Sequence, residues 1–566
     1  MIAHLASPQG VGREGTMSRR VMFAVVVSVG LIAALPASGG AQAPAAASPA
    51  VITAWNEIAA NMIAGPAPNG AAKGAAEANM WLGFVQAAVY NAVNGITGRY
   101  GLYKWPTAAQ APKGASPQAA AAAAAHRVLK TYFGSSPTIA ANLDTALASS
   151  LGQIPDGAAK DQGIRYGEQA ADRLIELRAN DGRNAPIVFN VPLAPGVWRP
   201  TPPANAPFFD PWLSQVTPLM LDSPSQFRAD APPAIASPVY VQEFNEVRDY
   251  GASTGSLRSP VQTQTALFFF DIAVLPIQAA LRDLVTRQAL DISDSARLFG
   301  AVDMSLADAV IAVWDGKYHY GWWRPITAIR EADNDGNPAT AGVAGWTPLI
   351  PTPPYPDWPS GLGGAIGALS TTLSRLNPNG QLDLNITSPG IGVTRHYDDP
   401  AVIQKDLIDA RVWSGIHFRT ADQVGVATGI KVGNWALDHY FAPAKHTVAA
   451  SLRNNTEVPR PKGAARARGS FSGTYVLNKT GATLIWKLTF TRLSGKALAA
   501  HIHRGKPGKA GPVVVPLCGP CRSGRVGKVT ISKAVLTALE AGNAYVNVHT
   551  ARNPAGEIRG QAKVSG

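Results

Sequence analysis

Three short stretches of this chain carry the groups that chemistry needs. "KYHYGWWRP" supplies Lys317 and Arg324, "PDWPSGLGG" supplies Ser360 and Gly361, and "RVWSGIHFR" supplies Arg411 and His417. An ammonium, two guanidiniums, a hydroxyl and a backbone N–H make a donor set suited to a tetrahedral oxyanion. A histidine beside them adds a nucleophile for phosphoryl transfer or a ligand to a transition-metal oxyanion. Ser360 sits where an N-cap belongs, ahead of "GLGGAIGALSTTL", so the first N–H groups of that helix would face the anion. One position breaks the pattern. The residue after Ser-Gly is Leu362, whose side chain cannot move a proton.

Helices must position these groups. Apolar residues recur at helical spacing in "NMWLGFVQAAVYNAVNGI", "AAAAAAHRVLKTYF", "AANLDTALASSL" and "EQAADRLIELRAND". Residues 191–238 are proline-rich and irregular. Helical spacing then returns in "VYVQEFNEVRDYG", "SARLFGAVDMSLADAVIAVWDGKYHY" and "GVATGIKVGNWALDHYF". With 566 residues the chain is too long for one core. Residues 44–442 read as an all-α domain and 443–468 as a Pro/Arg-rich linker. From 469 to 566 the apolar period changes to two, in "GTYVLNKT", "TLIWKLTFTRL", "AAHIHRG", "PVVVPL", "GKVTI", "YVNVHT" and "EIRGQAKV". The fold class expected is therefore mainly α, followed by a small all-β sandwich.

Residues 1–43 carry an export signal that starts at Met17: two arginines, an apolar run from Val21 to Leu35, then Ala41-Gln42-Ala43. The run is short for a membrane span and ends at Pro36, and no later stretch reads as one. A periplasmic or secreted protein is expected. The net charge of +13 is unevenly spread: residues from Lys445 onward hold 20 Lys and Arg against three acids, while 1–444 are slightly acidic. Outside the cytoplasm such a basic module suits acidic polysaccharide or an anionic envelope surface, and no nucleic acid is expected. His501 and His503 lie two apart on one predicted strand and share a face, and His549 lies on another. Three imidazoles there can bind copper or zinc. Cys518 and Cys521 form "CGPC" without the strand-to-helix setting of a redox site, so in an exported chain they read as a small structural disulfide.

Taken in order, the three stretches resemble the superfamily of vanadium-dependent haloperoxidases and type 2 phosphatidic acid phosphatases. Its pattern is Lys-x6-Arg-Pro, then Pro-Ser-Gly-His, then Arg-x5-His. Lys317 to Arg324 and Arg411 to His417 match the spacings, and "QFRADAPP", "WRPITAIR", "TPPYPDWPSG" and "RVWSGIHFRTAD" look like the bacterial haloperoxidase-related branch. The resemblance implies haloperoxidase-like helical bundles and a vanadate cofactor, with phosphate as a substitute. Lys317, Arg324, Ser360, Gly361 and Arg411 would hold its oxygens. His417 would be the axial vanadium ligand or, in a phosphatase, the nucleophile. Tyr355 falls where the family places a ring near the halide. Hydrogen peroxide, halide and an organic acceptor would be the small-molecule substrates. Leu362 takes the place of the family's acid–base histidine, and His319 and His396, the remaining histidines near these motifs, are the candidates to stand in for it. An acid-phosphatase-like enzyme and a catalytically weak oxyanion-binding protein are the alternatives. "AAHIHRGKPGKAGPVVVPL" with "YVNVHTARNPAGEIRGQ" resembles the chordin-type extracellular domain, CHRD.

Overall fold

Among the described residues five helices begin with Ser-Pro or Asp-Pro, and the chemistry of that pair explains why. Ser116, Ser136, Ser237, Ser259 and Asp399 each accept a backbone N–H of the first turn on the side-chain oxygen. The proline that follows has a fixed φ suited to the helix and lacks an N–H that would otherwise go unpaired. The computed structural model describes residues 48–105, 111–463 and 466–565, all within the compact unit Ala47–Gly566. The export signal read over residues 1–43 lies outside the described residues.

The helical region centres on Ile292–Tyr320, buried along almost its whole length. Asp291 caps its N-terminus by accepting from Ser293 and Asp294, and Gly321 ends it in the left-handed region at φ 55°. Around it pack Ala75–Thr97, Gly361–Leu376 and Arg419–His439. The last two touch backbone to backbone. A Cβ at Gly429 would stand 2.1 Å from the carbonyl oxygen of Gly364, so only glycine permits this approach. The irregular segment 191–238 wraps the end of the central helix. Arg228 makes two 2.7 Å bonds to Asp315, and Trp358 Nε1 donates to the Asp230 carbonyl at 3.1 Å. Deeper in, the Asp308 carboxylate accepts from the N–H groups of Leu219, Met220 and Leu221 at 2.6, 2.7 and 3.0 Å. Asp308→Ala leaves those three buried donors unmatched. We expect a loss of about 3 kcal/mol or more, measured by denaturant unfolding.

The helical region is not purely α. Leu384–Ser388 and Val393–Tyr397 pair as an antiparallel hairpin, which carries His396. Among the described residues no single helix is long and apolar enough to cross a membrane; Pro260–Asp271 and Val274–Arg287 together pass by length and composition but bend by 87°.

The segment 443–468, read from sequence as linker, holds a strand. His446–Arg453 pairs with Arg468–Asn478 over its whole length, its burial alternating with period two in "HTVAASLR". A neighbouring Pro/Arg-rich run masks that alternation in the sequence. The β region is one continuous nine-stranded antiparallel sheet, curled like a barrel around a single apolar core. Its order is Val513–Cys518, Ala497–Arg504, Ala544–Thr550, Ile558–Gln561, His446–Arg453, Arg468–Asn478, Gly481–Thr491 and Arg525–Ser532, with Lys563–Ser565 also against His446–Arg453. One helix, Lys533–Glu540, closes it.

Candidate oxyanion site

Lys317 lies in the last turn of the central helix, Arg324 at the N-cap of Pro325–Glu331, and Arg411 in the last turn of Pro400–Trp413. His417 follows in the turn before Arg419–His439. All four side chains are buried, and so is Ser360. Lys317 and Arg411 stand at helix C-termini, where the helix dipole favours cations.

Carbonyls of the "YPDWPSG" loop aim the cations. Lys317 Nζ donates to the carbonyls of Pro356 at 2.6 Å and Asp357 at 3.0 Å. Arg324 donates to the carbonyls of Tyr355 and Ile416, both at 2.7 Å. The Tyr355 ring covers both cations, its centroid 5.0 Å from Lys317 Nζ and 4.9 Å from Arg324 Cζ. Ser360 is the N-cap of Gly361–Leu376: its hydroxyl accepts from Gly363 N–H at 3.2 Å, while its own N–H donates to Ala421. A Cβ at Gly361 would come within 3.1 Å of Trp314 and 3.9 Å of Lys317, so glycine keeps the backbone close to the ammonium.

His417 sits between an acid and a guanidinium. Its Nδ1 is 2.5 Å from Asp357 Oδ1, and its Nε2 is 3.2 Å from Arg324 Nη1. Burial, together with Arg324, Arg411 and Lys317, holds the imidazole well below its ordinary pKa, so it is neutral. Asp357 stands at the Nδ1 side of the ring, which leaves Nε2 as the nitrogen further from the acid. Burial pushes the Asp357 carboxyl up to about 7 against the pull of Arg324 and Lys317, and raises Asp422 well above the usual range. Burial also lowers Lys317 strongly, with Arg324 adding to the effect, and lowers both arginines.

Two guanidiniums and a lysine whose charge burial opposes thus face two acids that resist ionisation. Arg324 Nη2 and Arg411 Nε are buried without hydrogen-bond partners. The first-turn N–H groups of Gly361 and Leu362 also lack partners among the described residues. Unpaired buried donors of one sign are costly, and a tetrahedral oxyanion would satisfy them together. The residues present fit vanadate or phosphate.

Asp357 and Asp422 were not singled out in the sequence. Their signals were "PDWPSG", which places an acid three residues before the N-cap serine, and the acid of "HFRTAD". Neither candidate for the missing acid–base group reaches the site. His319 is exposed and packs edge-on against Tyr320, because two residues along a helix from Lys317 is nearly its opposite face. His396 lies on the hairpin surface, bonded to Asn385 and paired with Asp398. Leu362 instead lines a cavity of about 210 Å³ with Phe269, Phe270, Val310, Leu369, Tyr355 and Arg411. The leucine belongs to an apolar antechamber with Arg411 and Tyr355 in its wall.

Residues 297–445 match the family described as the VCPO second helical-bundle domain, and residues 448–562 match the CHRD domain. The vanadium chloroperoxidase of Curvularia inaequalis is 25% identical over 247 residues, which are 35% of this chain and 39% of that protein. The chain thus matches about two fifths of that relative's length. The crystal structure titled as the first bacterial vanadium-dependent iodoperoxidase superposes with a TM-score of 0.58 at 23% identity, covering 71% of this chain and 99% of that one. A holo-type bacterial vanadium-dependent chloroperoxidase gives 0.51 at 19% identity, covering 67% and 94%. The helical region therefore has the haloperoxidase fold. The chain joins a vanadium-chloroperoxidase-type second helical-bundle domain to a C-terminal CHRD domain.

Proposed function

We propose that this protein is an exported vanadate-dependent peroxidase that oxidises halide with hydrogen peroxide, working without the acid–base histidine. The observation that carries this reading is the neutral His417 among three buried basic side chains, of which Arg324 and Arg411 keep unpartnered donors. His417 Nε2 would ligate the metal centre, with Asp357 fixing the ring. Lys317, Arg324, Arg411 and the N–H groups of Gly361 and Leu362 would hold the oxygens, and Ser360 would keep that helix end in place. When bound, vanadate supplies a Lewis-acidic centre that activates peroxide toward halide. The anion would also restore the ordinary charge of Lys317, which burial and the neighbouring Arg324 suppress. Protons would come from water, because Leu362 and its apolar neighbours offer none. The cavity suits a weakly hydrated halide and an apolar organic acceptor, so iodide and bromide are favoured over chloride. The relative titled iodoperoxidase is in keeping with that order.

The test is thermal unfolding of the full chain with orthovanadate, beside iodide and bromide oxidation with peroxide. We expect vanadate to raise the melting temperature and to be required for turnover, with iodide the fastest substrate. Stabilisation without turnover would leave an oxyanion-binding protein. Phosphate-ester hydrolysis inhibited by vanadate would point to the phosphatase reading. As part of the proposal, export puts Cys518 and Cys521 in an oxidising compartment, and their Cα separation of 5.4 Å suits a structural disulfide closing a turn. The basic C-terminal region would then meet acidic polysaccharide or the envelope surface.

A further inference from the structure

The outward face of two neighbouring strands in the β region brings three imidazoles together. Ala497–Arg504 pairs antiparallel with Ala544–Thr550, with His501 opposite Asn547, His503 opposite Tyr545 and Ala499 opposite His549. Ile502, Ala500, Val546 and Val548 fill the apolar core from the other face. His501, His503 and His549 therefore share the polar face by register. His501 Nδ1 is 3.1 Å from His549 Nε2, and the three rings stand 4.9 to 5.9 Å apart. One ligand nitrogen from each of the three lies within 4.8 Å of the others.

The surroundings preset the rings for ligation. His503 Nδ1 donates to the Gly511 carbonyl and His549 Nδ1 to the Pro554 carbonyl, both at 2.9 Å. Those bonds fix the proton on Nδ1 and leave Nε2 as a lone pair on both rings. His503 is only 7% exposed, and its Nε2 is buried without a hydrogen-bond partner. The side chain beside it is Asn547, whose Oδ1 is likewise buried without a hydrogen-bond partner, and two such acceptors together call for a cation. His503 is also stacked on Tyr545 at 4.8 Å and 12°, with Arg559 over the far side of that ring, so its orientation is held by packing.

We propose that His501, His503 and His549 form a binding site for one divalent first-row transition ion, zinc or copper(II). Imidazole nitrogens about 2.0–2.1 Å from zinc lie about 3.3 Å from one another in a tetrahedral site. The His501–His549 pair is already near that spacing at 3.1 Å, and the ligand nitrogen of His503 lies within 4.8 Å of both. All three imidazoles are held below their ordinary pKa, chiefly by burial, and so are neutral ligands at pH 7. Three protein nitrogens leave a fourth position for water or a small ligand, and the all-nitrogen set selects zinc or copper over calcium or magnesium.

The experiment strips the full chain with chelator and titrates it with zinc, then with copper(II), by calorimetry. One equivalent of either ion should bind, and the melting temperature should rise with it. His503→Phe keeps the stack on Tyr545 but removes the ligand, and should weaken binding about 100-fold or more. His549→Phe should do the same. His396→Ala, in the exposed cluster with Asp383 and Asp398, should leave binding unchanged. Electron paramagnetic resonance of the copper-loaded wild-type chain decides the matter if the variants fold poorly, because three imidazoles give resolvable nitrogen couplings. Unaltered binding in folded His503→Phe, loss of binding in His396→Ala, or a copper spectrum with oxygen ligands alone would each overturn the assignment.

Discussion

Leu362→His raises vanadate-dependent bromide oxidation by about 100-fold or more, within the 10²–10⁴ that a positioned acid–base group contributes. The argument is one of place and room. Leu362 is the second residue of Gly361–Leu376, its N–H is among the donors at the cationic cluster, and its side chain lines the cavity of about 210 Å³. An imidazole is close to leucine in volume, so the swap conserves packing. The vanadate-induced melting shift should stay the same, since the side chain of residue 362 is not among the donors. Turnover of the wild type should fall more steeply with rising pH than that of the variant, because its protons come from solvent alone. Equal rates in the two proteins, with vanadate bound in both, would show that some other group already moves the proton.

The sequence made the site legible because spacing along one helix or turn is fixed by backbone geometry. Lys317, Arg324, Arg411 and His417 are paired at short intervals, and the structure brings the two pairs together against the Ser360 cap. What was not legible depends on contacts between distant segments. Asp357 meets His417 across 60 residues, and no periodicity marks such a pair. His319 and Lys317 are neighbours in sequence yet face apart, as helical pitch requires. Among the elements, the long helices with clear apolar spacing were readable. The bent pair Pro260–Asp271 and Val274–Arg287 was not, because "FFFDIAVLP" is apolar but for Asp271 and shows no period. His446–Arg453 was hidden for a different reason: its alternation is carried by valine, alanine and leucine in a stretch adjoining a proline- and arginine-rich run.

Arg411→Met should produce opposite effects on folding and on oxyanion binding. Arg411 is 6% exposed, and its Nε has no partner. A guanidinium held that way costs stability, since desolvation is not matched by hydrogen bonds. Its acidic counterparts are Asp422 and, more weakly, Asp357, and burial keeps both toward the protonated form, so removing the arginine strands no carboxylate. Methionine fills the same volume with apolar contacts. The anion-free variant should therefore be more stable than wild type by about 1–3 kcal/mol, read as a higher melting temperature without vanadate. Vanadate affinity should fall about 100-fold, as expected when a buried charge-assisted contact worth about 3 kcal/mol is lost. An arginine retained for structure would give the reverse: a lower melting temperature and an intact vanadate shift. The signs of the two effects together decide whether this buried charge is kept for its anion or for the fold.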